Sequence, residues 1–70
     1  MDVVKVFGDN LRKYRSELGV SQEIFATMCG LHRTYISDVE RYQRNVSLKV
    51  VQKIADALNI ETYRLFIEEV

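Results

Sequence analysis

Seventy residues, nearly half of them apolar or aromatic and under a third charged, suit one small globular domain and exclude a disordered or fibrous chain. No apolar run approaches the roughly 18 residues of a membrane-spanning helix, Met1-Asp2 does not open a secretory leader, and a lone cysteine, Cys29, cannot close an internal disulfide, so the cytoplasm is the expected compartment. The formal charge of zero weighs mildly against nucleic acid, but its distribution is uneven. Between His32 and Lys53, Arg33, Arg41, Arg44, Lys49 and Lys53 outnumber Asp38 and Glu40, whereas beyond Ile54 the acids Asp56, Glu61, Glu68 and Glu69 outnumber Arg64. Such a polarity can orient a molecule on a polyanion.

Apolar residues recur at helical spacing throughout, no stretch alternates with a period of two, and there is no proline or linker-like tract. Val4, Phe7, Leu11, Tyr14 and Leu18 form the stripe of a first helix that ends before Gly19, a residue able to take the left-handed conformation. Ser21 is the expected N-cap of a short second helix, with Gln22 and Glu23 in its first turn, ending at Cys29 with Gly30 in the turn. A third helix runs from about Arg33 to Glu40 or Arg41 and buries Ile36 and Val39. Ser47 caps a fourth, with Leu48, Val51, Ile54, Ala55 and Leu58 on one face and Asn59 at its close. A fifth helix is expected from about Thr62, carrying Tyr63, Leu65, Phe66 and Ile67 towards the end. The expectation is an all-α, five-helix fold forming one domain over residues 1–70.

With Gln22 as the first position, the second and third helices satisfy the geometry of a helix-turn-helix. Ala26 is small where the two helices cross, Gly30 stands where the turn needs a positive φ, and Ile36 and Val39 anchor the second helix from below, with Phe25 and Leu31 completing the seam. Each match alone is weak, whereas the joint pattern over about twenty residues is a strong signal.

The stretches Leu11-Arg12-Lys13-Tyr14-Arg15, Gly19-Val20-Ser21-Gln22-Glu23, Tyr35-Ile36-Ser37-Asp38-Val39-Glu40-Arg41 and Leu48 to Leu58 resemble the Cro/CI-type, lambda-repressor-like (XRE) helix-turn-helix family over essentially the whole chain. Within that family, Leu31 to Ser37 together with Arg44-Asn45-Val46-Ser47-Leu48 are similar to the controller proteins of restriction-modification systems. Two positions depart from the pattern. Tyr42 stands where many relatives have a glycine, which leaves the path of the loop to the fourth helix open, and Ile24 occupies a place that is usually polar.

The motif places side chains near the start of the third helix at base edges of double-stranded DNA, pointing to Arg33, Thr34 and Ser37. Arg33 has the planar fork that fits guanine. The controller resemblance adds Arg44 to base readout, with Asn45 beside it. Gln22, at the helix that crosses the backbone, and Ser47 and Lys49, at the start of the fourth helix, are expected phosphate partners. Tyr35 either stacks beside a phosphate or covers the edge of the core. In relatives the positions of Arg15 and Glu40 form an internal ion pair, so a structural role is implied for both.

Tyr63, Ile67 and Val70, spaced i, i+4 and i+7, form a second apolar stripe that the protein's own core does not need, since Leu65 and Phe66 can close it. A twofold homodimer through this stripe would set two recognition helices roughly 34 Å apart on a near-palindromic operator. The implied function is that of a dimeric, sequence-specific transcription regulator of restriction-modification genes. The alternatives are a phage-type repressor of the same fold, or a protein-binding adaptor that has lost DNA, which the neutral charge would suit. One histidine, one cysteine and no paired carboxylates give neither an enzyme nor a metal site. His32 is read as a helix cap and Cys29 as a core residue. No cofactor or small-molecule ligand is expected, and no membrane partner.

Overall fold

The computed structural model describes residues 1–68. Four α-helices, α1 (Val3–Leu18), α2 (Gln22–Cys29), α3 (Arg33–Glu40) and α4 (Leu48–Leu58), are followed by a short 3-10 helix, Thr62–Phe66. Local chemistry explains most of the boundaries. Asp2 caps α1, its carboxylate accepting from the N–H groups of Val4 at 3.1 Å and Lys5 at 3.3 Å. Ser47 Oγ caps α4 by accepting from Val50 N at 3.2 Å. Gly19 ends α1 at φ 74°, and Asn59, one of the few side chains at ease in the left-handed region, ends α4 at φ 57°.

The core is built where the apolar stripes meet: Phe7 and Leu11 of α1, Phe25 of α2, Ile36 and Val39 of α3, Val51, Ile54 and Leu58 of α4, and Leu65 from the 3-10 helix. The Phe7 and Phe66 rings meet with centroids 5.4 Å apart at 49°, a tilted pairing that favours contact between ring edge and face. Gly8 lets α1 approach the end of α3. A Cβ there would lie 2.5 Å from the Val39 carbonyl oxygen and 3.0 Å from the Tyr42 ring.

Two expectations are corrected. The fifth element is not an α-helix, so the described residues hold four α-helices and not five. The buried side chain of Asn10 explains the difference, because its Nδ2 donates to the carbonyls of both Leu65 and Ile67 at 2.9 Å. A continuing α-helix would turn those carbonyls along its axis to N–H groups four residues on; instead the backbone is extended at Ile67, φ −83° and ψ 118°. Leu48 was placed on the buried face of α4, yet it is 85% exposed. It is the first residue of the helix and projects beyond the body that Val51, Ile54 and Leu58 pack against. Leu18, at the last turn of α1, is likewise exposed.

Candidate nucleic-acid interface

α2 and the turn after it are closed by local bonds. Ser21 Oγ accepts from Ile24 N at 3.1 Å, Gly30 turns the chain at φ 72°, and Leu31 N donates back to the Ala26 carbonyl at 2.8 Å. Ala26 is buried at the crossing of the two helices. This turn delivers α3 with Ile36 and Val39 in the core and Arg33 and Thr34 in solvent; Ser37 and Tyr35 are half-buried. At its N-terminus His32 occupies the cap position, but its side chain makes no cap hydrogen bond. The first N–H groups of α3 therefore lack the side-chain acceptor that α2 and α4 have, although Tyr35 N donates to the His32 carbonyl at 3.0 Å, and they lie at the positive end of the helix dipole.

Below this open end, Glu40 joins three helices. Its carboxylate is 1% exposed and takes a bidentate approach from Arg15, Nε at 2.6 Å and Nη2 at 3.0 Å. Gln22 Nε2 donates at 3.1 Å, Arg12 Nε lies at 3.5 Å, and Arg12 Nη2 donates to the Glu40 main-chain carbonyl at 2.9 Å. Arg15 also donates through Nη1 to the Val20 carbonyl at 2.8 Å. Burial, the largest single influence, pushes the Glu40 carboxyl up. The hydrogen bonds from Arg15 and Gln22 and the charges of Arg15 and Arg12 together outweigh it and hold the group below its ordinary value. On the other side, the hydrogen bond to Glu40 raises Arg15. Arg12 and Gln22 were not anticipated in this cluster. The Gln22 side chain is turned towards Glu40 and stays partly exposed at the start of α2.

The loop after α3 takes a definite path. Tyr42 adopts φ 64°, the left-handed conformation that a glycine would take more cheaply. Its ring lies against Gly8, its hydroxyl is hydrogen-bonded to Asp9, and Lys5 Nζ sits 5.5 Å from the ring centroid while pairing with Asp9 at 2.8 Å. Next to it, Asp38 draws Arg41 Nη2 to 2.7 Å and Arg44 Nη2 to 3.4 Å. The Arg44 guanidinium lies 4.3 Å from the Tyr35 ring centroid, so Tyr35 forms a platform at the edge of the core with Arg44 on it. Asn45, Ser47 and Lys49 are exposed on the continuation of this edge, with the Ser47 hydroxyl engaged in its cap. Arg33 and Lys49 form no ion pair among the described residues.

Elsewhere, Tyr63 and Ile67 are 57% and 47% exposed, and Val70 lies outside the described residues. Val3, Val4, Leu48 and Phe66 line an apolar groove that Arg44 and Asn45 border. Ile24 is also exposed. Among the described residues no group of three or more His, Cys, Asp or Glu side chains is placed to hold a metal ion, and no helix is long and apolar enough to cross a membrane. Cys29 is buried.

Residues 11–65 match the helix-turn-helix family. The chain is 45% identical over 65 residues to the control protein C.SmaI of Serratia marcescens, covering 93% of this chain and 77% of that one. It superposes on the restriction-modification controller protein C.AhdI of Aeromonas hydrophila with a TM-score of 0.86 at 49% identity, covering 90% and 91% of the two chains. It also superposes on the controller protein C.Esp1396I, solved as a tetramer in complex with its natural 35 base-pair operator, with a TM-score of 0.84 at 32% identity, covering 94% and 87%. With more than two thirds of the chain matched and its two short helices joined at Gly30, the protein belongs to the helix-turn-helix family.

Proposed function

We propose that this chain is a non-catalytic, sequence-specific DNA-binding transcription regulator that works in the cytoplasm as a homodimer, controlling restriction-modification genes through near-palindromic operators. The observation that carries the reading is α3: it is anchored by Glu40 at one end and uncapped at the other, where Arg33 and Thr34 stand in solvent. An arginine with no internal partner at that place can give both fork hydrogens to guanine O6 and N7. Thr34 and Ser37 follow along the same helix, and Arg44 reaches the groove from the loop. Gln22 with the N–H groups at the start of α2, and Tyr35, Asn45, Ser47 and Lys49, serve the phosphates. The relationship to controller proteins, one of them solved on its operator, supports this assignment.

Residues 1–70 act as one DNA-binding domain in this reading. A single copy has no net charge, so pairing two half-site readers supplies affinity that one lacks. Tyr63 and Ile67 are the proposed contact, joined by Val70. Selection of bound sequences from a random DNA pool is the test, with two inverted half-sites as the expected product; a pool without enrichment would refute the function. Against the selected site, Arg33→Ala is expected to weaken binding by about 1–3 kcal/mol and relax preference at one base pair. Sedimentation at micromolar concentration is expected to show a dimer that Ile67→Asp dissociates; a mutant that still dimerises moves the contact elsewhere.

A further inference from the structure

The interface contains a carboxylate that neither the helix nor the core requires. Asp38 lies in the last turn of α3, where the negative end of the helix dipole disfavours an acid. Its side chain is 19% exposed and has no hydrogen bond or ion pair to the Glu40 cluster among the described residues. What it holds are two arginines, its helix neighbour Arg41 at 2.7 Å and Arg44 of the proposed DNA-facing loop at 3.4 Å. Arg44 is thereby pinned between the Asp38 carboxylate and the Tyr35 ring, 4.3 Å from its centroid, with 42% of its side chain still exposed. On a face meant for a polyanion, one carboxylate offsets part of the charge of two cations. It thus lowers attraction to any DNA while restricting the orientations of a planar fork.

Building on the DNA-reading function above, we propose that Asp38 is a positioning residue that raises discrimination at the expense of affinity: it holds Arg44 over the Tyr35 ring, facing one base pair, and withholds Arg41 from the phosphates. The two effects are separable. Attraction to arbitrary sequence follows the number of cations free to displace counterions, whereas preference at one base pair follows the geometry of one guanidinium.

Asp38→Asn keeps the shape and removes the charge. Compared with the parent on its selected site and on random duplex over a range of salt, the variant should bind random DNA about threefold to tenfold more tightly, with the slope of log affinity against log salt steeper by about one. The ratio of cognate to random affinity should fall about tenfold, with relaxed preference at the one base pair that Arg44 reads. In an Arg44→Ala background, Asp38→Asn should no longer change base preference, and Asp38→Glu should return the salt slope to that of the parent. In the free protein, the Arg44 Nε–H resonance should carry a ring-current shift from Tyr35 that Asp38→Asn removes. A parent that selects a site, alongside an Asp38→Asn variant with the same salt slope and the same preference, overturns the role of Asp38 and leaves the function standing. Equal loss on both DNAs with a lowered Tm shows a merely structural residue and also overturns it. A parent that enriches nothing from the pool refutes the DNA-reading function, and this role with it.

Discussion

The two helices of the motif have eight residues each and differ in how their starts are held and in what anchors them from a distance. α2 is specified by its own ends: Ser21 caps one, and Gly30 turns the other back onto Ala26 and Thr27. α3 lacks the first device and has the second, one residue late. His32 makes no side-chain cap bond, while beyond Arg41 the chain turns at Tyr42, φ 64°, and Gln43 N donates back to the Asp38 carbonyl at 2.8 Å. Its position also rests on distant partners, Arg15 and Arg12 of α1 and Gln22 of α2, all converging on Glu40. The contrast shows how a reading helix can be firmly mounted while no side chain caps its N-terminal N–H groups. The fixing bonds lie at the buried C-terminal end, so the other end remains available to a ligand.

The sharpest way to break that contrast is at Glu40. Glu40→Ala leaves Arg15 charged, only 15% exposed and without its partner, and is expected to cost about 3–5 kcal/mol in denaturant melts. Arg15→Met combined with Glu40→Leu should recover much of the loss. Because the folded Glu40 carboxyl sits below its ordinary value, its contribution is complete above the unfolded-state value and disappears as pH falls through the folded one. The parent should therefore lose stability over that acid window with a steeper slope than Glu40→Gln, and parallel profiles would place the anchor elsewhere. Ser21→Ala tests the local side of the contrast, with an expected loss of about 1 kcal/mol and no change in base preference. The smallest effect is expected from His32→Asp. Supplying the missing cap should stabilise the fold by about 0.5 kcal/mol, while a carboxylate over the open N–H groups should reduce DNA affinity in a gel shift. Unchanged binding in that variant would mean that the uncapped end is not used.

What could be read from the sequence follows the same division. Gly19, Ser21, Gly30, Ser47 and Asn59 mark helix ends because each acts on backbone groups within a few residues, and those boundaries lie where the pattern places them. Asn10 acts across 55 residues on the Leu65 carbonyl, and Tyr42 across 33 on Asp9. No local pattern announces such a bond. That is why a fifth α-helix was expected where a 3-10 helix forms, and why the course of the loop at Tyr42 stayed open. At the interface, the outward residues of α3 follow from helical spacing alone. The attachment of Arg44 to Asp38 and Tyr35, and the inward turn of Gln22 to Glu40, depend on how the loop and α2 come to rest against α3.

Cys29 closes α2 one residue before the Gly30 turn, with 7% of its surface exposed, and burial pushes its thiol up to about 11. At neutral pH almost no thiolate exists in the closed molecule, and an alkylating reagent has little access to the sulfur. Alkylation then has to wait for the packing around Cys29, at the turn between α2 and α3, to open, so its rate follows that opening and not collisions with the surface. The chain thus carries a single built-in chemical clock, without any added label. A ligand that grips both helices should slow that clock even when it leaves every spectroscopic signal unchanged.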